Sequence, residues 1–119
     1  MEQCSPLGCF VKEWTCYLEL HGHRVMSDPR APDLLRSRNP QGKRYRWMIR
    51  CEAGNSVFLS EADCRTIRCH LRAARKASEQ CFLVVKFGYP AGTALIIPAS
   101  KAQSIRLLVA SKGGIPWES

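Results

Sequence analysis

Arg44-Tyr45-Arg46-Trp47-Met48-Ile49-Arg50-Cys51-Glu52 alternates so cleanly that it reads as one thing, a β-strand. Tyr45, Trp47, Ile49 and Cys51 fall on one face, and Arg44, Arg46, Met48, Arg50 and Glu52 on the other. A period of two commits the aromatic face to a core and predicts a basic face left open. Just before it, Asn39-Pro40-Gln41-Gly42 is turn sequence in which glycine supplies positive φ, so the flanking segments are expected to form a hairpin.

The remaining elements follow from similar signals. Phe10, Trp14, Tyr17 and Leu18 recur at helical spacing and predict a helix from Pro6 to about Leu20, stopped at Gly22. Arg24-Val25-Met26 reads as a short strand and Leu34-Leu35 as another. Asp28-Pro29 and Ala31-Pro32 form an extended, turn-rich connection between them, because residues before proline avoid helical geometry. Ser60-Glu61-Ala62-Asp63 has the cap and early acids of a helix start, and this helix is expected to run to about Ala77. Cys64, Ile67, Leu71 and Ala74 make its buried stripe, and Arg65, Arg68, Arg72, Arg75 and Lys76 its basic face.

Cys81 to Phe87 is nearly continuous apolar sequence, suited to the middle of a sheet. After a turn at Gly88–Gly92, Ala94 to Ile97 returns as its partner and Pro98 ends it. Ala99 to Lys112 reads as a last helix with Ala102, Ile105, Leu108 and Val109 inward, stopped by Gly113-Gly114, and the tail is expected to dock Trp117 on the fold. The order describes an α/β sandwich with a small central mixed sheet flanked by helices, in a single domain spanning 1–119.

Composition limits the function. No apolar run approaches the ~20 residues of a membrane span, and no basic segment precedes an apolar one at the N-terminus, so a cytoplasmic protein with no membrane partner is expected. The seven cysteines are odd in number and include no C-x-x-C pair, which points to reduced thiols rather than disulfides or structural zinc. The formal charge is +8, and thirteen of the eighteen Lys and Arg lie between Arg24 and Lys76. Such crowding repels itself unless an anion offsets it, and nucleic acid is the expected partner of a basic domain of this kind. Arg36, Arg38, Lys43, Arg44, Arg46, Arg50, Arg68 and Arg72 are the residues expected to grip phosphates.

The element order, together with Pro32-Asp33 before the alternating strand, resembles the core of the PD-(D/E)XK nuclease superfamily, which includes restriction enzymes and archaeal-type Holliday junction resolvases. The resemblance covers about residues 10 to 90 and its motifs are short. It implies a restriction-endonuclease-like fold, a DNA partner in preference to RNA, and a homodimer. If the protein is catalytic, it also implies Mg²⁺ or Mn²⁺ held by the Asp of the Pro-Asp element and by the acid of the triplet. Hard oxygen ligands suit those ions, and alternate strand positions place the triplet's acid and lysine on one face.

Carried onto this chain, Asp33 matches the first metal ligand. The triplet departs from the pattern: Met48-Ile49-Arg50 lacks its acid, and Arg50-Cys51-Glu52 has its charges exchanged. Glu13 corresponds to an acid on the first helix, and Arg68 or His70 to a polar helper on the next. The catalytic candidates are therefore Asp33, Glu52, Arg50 and Glu13, with Asp33 and Glu52 the metal candidates.

Three functions stay open at this point. The first is a nucleic-acid-binding protein with a degenerate centre. The second is a metal-dependent endonuclease with a migrated site, using Asp33 and Glu52 as ligands and Lys86 or Arg50 as the cation. The third is an interaction subunit with a basic face.

Overall fold

A computed structural model describes residues 5–88 and 93–110. The expected turn at Gly88–Gly92, the thiol of Cys4 and the docking of Trp117 fall wholly or partly outside these residues.

Helix α1 (Pro6–Leu20) begins where the Ser5 hydroxyl accepts the Gly8 amide at 3.0 Å and Pro6 occupies the first turn, where its missing N–H costs nothing. Phe10, Trp14 and Leu18 stand one turn apart on one stripe and are buried. At its end Gly22 has φ +84°, and a Cβ there would meet Pro40 Cγ at 2.7 Å, so both conformation and space demand glycine.

Strands β1 (Arg24–Asp28) and β2 (Ala31–Arg38) form an antiparallel hairpin. The expected pair of short strands joined by a long connection is thus corrected to two longer strands turning at Pro29-Arg30. Their register explains the prolines. Ser27 faces Leu35, but Asp28 faces Ala31, so Pro32, Asp33 and Leu34 are extra residues in a bulge, where a residue without an N–H breaks no ladder.

The Asn39–Gly42 turn is as expected: Asn39 Oδ1 accepts the amides of Gln41 and Lys43 at 3.0 and 2.8 Å, and Gly42 has φ +86°. It leads into β3 (Arg44–Glu52), antiparallel to β2. After the short β4 (Ser56–Phe58), helix α2 (Glu61–Lys76) opens with a reciprocal cap between Ser60 and Asp63 and crosses to β5 (Glu79–Phe87), which pairs parallel to β3. Strand β6 (Ala94–Pro98) completes a five-stranded mixed sheet in the order β1-β2-β3-β5-β6.

The sheet separates two cores. On one face α1 packs Phe10, Trp14 and Leu18 over Leu35, Tyr45, Trp47, Ile49 and Val84. Trp14 meets Trp47 edge-on, with ring centroids 5.4 Å apart. On the other face Cys64 and Ile67 of α2, with Ala99 and Ala102 of α3 (Ala99–Ile105), cover Leu83, Val85, Phe87, Leu95 and Ile97. Strand β5 is therefore buried on both sides, as its sequence predicts.

The last helix is shorter than expected. It stops at Ile105 because Arg106 turns left-handed, φ +65°, and β7 (Leu107–Val109) pairs with β4. Arg106 exchanges backbone bonds with the strand end: Leu59 N–H donates to its carbonyl at 2.8 Å, and its guanidinium donates twice to the Leu59 carbonyl at 3.1 and 3.0 Å. Ile105 and Val109, expected inward, are exposed, whereas Leu108 is buried from a strand.

Candidate functional site: an ion-paired cavity beside a basic surface

Strand β2 stops pairing with β3 at Leu34–Met48, while β3 continues along β5 to Glu52. Beyond that point the β2 side of β3 opens into a cavity of about 400 Å³, lined among others by Asp33, Arg50, Glu52, Asp63, Thr66 and His70. The bulge brings Asp33 there, the alternation of β3 brings Arg50 and Glu52, and one stripe of α2 brings Asp63, Thr66 and His70. Bulges beside sites re-aim side chains in this way.

Arg50 bridges two of the cavity's three acids. Its Nη2 donates to Glu52 Oε1 at 2.8 Å, and its Nη1 lies 3.2 Å from Asp63 Oδ1. Asp63 is held below the usual carboxylate range, first by the Ser60 amide and, against the opposing effect of burial, by Arg50.

His70 lies deeper. Its Nδ1 is 3.2 Å from Arg46 Nη1, and since arginine only donates, Nδ1 accepts and the neutral ring carries its proton on Nε2. Burial, then the Arg46 charge, lowers the His70 pKa, and Asp33 opposes this.

The face of β3 expected to be open is largely covered or engaged. Arg46 is only 11% exposed, its Nε donating to Glu79 Oε1 at 2.9 Å, and Arg36 Nε donates to Glu79 Oε2 at 2.6 Å. Helix α2 lies over Met48 and Arg46, and Arg50 is spent on Glu52 and Asp63. The exposed basic groups include Arg24, Arg38, Lys43 and Arg44 around the hairpins, with Arg30 paired to Asp28 at the β1–β2 turn, and Arg65, Arg72, Arg75 and Lys76 on α2; Arg68 is half-buried.

Of the expected catalytic residues, Asp33, Arg50 and Glu52 share the cavity, but Glu13 is not among its lining residues. Glu13 Oε2 lies 3.4 Å from Lys86 Nζ at the α1 face, and Lys86 stands over the Phe10 ring at 5.5 Å. Lys86 is likewise not among the cavity's lining residues, though it stands beside Cys51, which is.

A divalent ion does not fit this donor set. Among the described residues no three His, Cys, Asp or Glu side chains group to hold a metal, and a guanidinium already stands between Glu52 and Asp63. Two of the thiols are also held protonated: burial pushes Cys81 up to about 11 and raises Cys51, which lines the cavity. Neither is poised to ionise near neutrality.

Asp63 and Glu79 escape the sequence reading as site residues. Asp63 looks like a helix-start acid, and Glu79 precedes the recognisable strand. The detectable signal is the i, i+3, i+7 spacing of Asp63, Thr66 and His70, which puts three polar groups on one stripe beside the buried one.

This mixed sheet, with its parallel crossover and flanking helices, is the restriction-endonuclease-like fold. Among solved structures the chain is similar to Archaeoglobus fulgidus Hjc, a Holliday junction resolvase from an archaeal hyperthermophile. The TM-score is 0.64 and the identity 13%, over 81% of this chain and 75% of that one. No protein-family model and no curated protein matches the sequence. No helix among the described residues is long and apolar enough to cross a membrane.

Proposed function

We propose that this chain is a nucleic-acid-binding protein on a nuclease-like fold, with DNA as its partner and with the metal centre of such folds replaced by an internal ion-pair cluster. The observation that carries this reading is Arg50. Its guanidinium places a fixed cation between Glu52 and Asp63 in the cavity shared with Asp33, so two of the three carboxylates that a divalent ion would draw on are already ion-paired. Arginine does not give up its proton at working pH, so it cannot take the role of a triplet lysine that activates water. The exposed Arg and Lys of the hairpins and α2 support phosphate contact. Likeness to a protein named as a Holliday junction resolvase favours DNA over RNA.

A second reading, a metal-dependent endonuclease, draws on the presence of Asp33, Glu52 and Asp63 around one cavity. One experiment separates the two. The protein is mixed with labelled duplex and four-way-junction DNA at several salt concentrations, with and without Mg²⁺ or Mn²⁺. Binding that weakens steeply with salt, with no cleaved product, is the expected result. Metal-dependent cutting abolished by Asp33→Ala overturns it in favour of the enzyme, and no binding at low salt leaves the basic face to an acidic protein.

A further inference from the structure

Two transverse rows of arginine cross the sheet side by side, and the one carboxylate between them, Glu79, stands opposite Arg44 in register but is hydrogen-bonded by the other row. In the first row Arg36 on β2 faces Arg46 on β3, and the Glu79 carboxylate, 2% exposed, takes one hydrogen bond from each. In the next row Arg24 on β1 faces Arg38 on β2, and Arg38 faces Arg44 on β3. All three are exposed. Within the described residues no acid forms an ion pair with any of them: Glu79, the ladder partner of Arg44, gives its carboxylate to Arg36 and Arg46, and the Arg44 guanidinium donates to the Ala77 carbonyl at the end of α2, at 3.4 Å.

Like charges directly opposite on neighbouring strands destabilise a sheet. A row of three is a standing cost, and the adjacent row shows how this fold offsets such a cost when it does so internally. The row borders a groove of about 710 Å³ that also takes in Arg36, His23, Glu19 and Glu79, two carboxylates against four guanidiniums, with Glu79 engaged by Arg36 and Arg46. At a strand spacing of about 4.8 Å the three Cα positions span roughly 10 Å in a line, an array suited to a linear polyanion.

We propose that Arg24, Arg38 and Arg44 form a phosphate-binding row, separate from the Asp33 cavity, that takes neighbouring backbone phosphates of one nucleic-acid strand. The proposal rests on the nucleic-acid reading above and deepens it by naming where the backbone lies. Arg24 enters through register alone, since β1 on its own reads as an unremarkable short strand. Contacts of this kind fix the position of a duplex without reading its sequence.

The test uses the full chain, fluorescently labelled duplexes of two unrelated sequences and a salt series. In the Arg24→Gln/Arg38→Gln/Arg44→Gln variant, the slope of log K against log salt should fall by about 2 to 3, near 1 per arginine, equally for both duplexes. The same variant should melt no lower than wild type, because repulsion has been removed, so weaker binding cannot be ascribed to unfolding. Lys101→Gln, on α3, serves as the control with unchanged binding.

Wild-type binding with an undiminished slope and affinity in the triple variant overturns the row while leaving the nucleic-acid reading intact. No wild-type binding at low salt overturns that reading and the row with it. Loss of binding to one duplex only overturns the claim of sequence-independent phosphate contact.

Discussion

Arg36 and Arg46 stand directly opposite each other on adjacent strands, and each donates its Nε to a different oxygen of the same buried carboxylate, Glu79. Two guanidiniums at that separation repel unless an anion lies between them. Glu79→Gln keeps the shape and removes the charge, leaving Arg46, which is nearly buried, without its ion pair. Breaking a buried pair from one side costs about 3 kcal/mol or more. Urea unfolding should show a lower midpoint with an unchanged m-value, and a midpoint equal to wild type would refute the role given to Glu79.

Gly22 and Pro40 make a second, steric prediction. Gly22→Ala must place a Cβ 2.7 Å from Pro40 Cγ at a positive φ, combining a clash with backbone strain. The expected loss is about 1–3 kcal/mol. Adding Pro40→Ala should recover only the clash, so a double-mutant cycle should return a non-zero coupling. Strict additivity would mean that backbone strain alone accounts for the loss.

Much of this architecture is legible because its signals are local. The alternation of Arg44–Glu52, the Asn39–Gly42 turn and the Ser60–Asp63 cap each specify an element within a few residues, and the structure contains all three. What escapes the sequence is decided at a distance. Leu107-Leu108-Val109 satisfies a helical pattern as well as a strand pattern, and the choice falls to pairing with Ser56–Phe58 and to the Leu59 carbonyl that holds Arg106 left-handed. The covered state of β3's basic face depends on where α2 lands, and the role of Glu79 on the β3–β5 register that sets it opposite Arg44. The cavity is half legible: Asp33, Arg50 and Glu52 are readable as candidates, but the pairing of Glu13 with Lys86 outside the cavity's lining is not.

Histidine titration gives a pH prediction with a definite sign. His70 and His23 both sit below the ordinary 6.5, each chiefly through burial, with Arg46 adding to the effect at His70 and His21 at His23. The unfolded chain therefore binds more protons than the folded one between the lowered values and 6.5. Stability is fully present above that range and is lost as pH falls through it. His70→Gln, whose side-chain oxygen can still accept from Arg46, should flatten the unfolding free energy between about pH 7 and pH 5. A pH dependence identical to wild type would show that His70 contributes none of it.

Arg50 supplies the most direct test of how the cavity is charged. With its guanidinium between Glu52 and Asp63, the wild-type protein should gain no thermal stability from millimolar Mg²⁺ or Mn²⁺. Arg50→Gln leaves two carboxylates, with Asp33 lining the same cavity, and no fixed cation among them. In metal-free buffer the variant should lose about 1 kcal/mol, the scale of partly exposed ion pairs. Mn²⁺ should then raise its Tm in a concentration-dependent way, because an ion that binds only the folded state stabilises it by mass action. Adding Glu52→Gln should cancel that rise. An equal Mn²⁺ response in wild type would mean that the ion displaces Arg50 or binds beside it, and the cavity would have to be treated as a metal site after all.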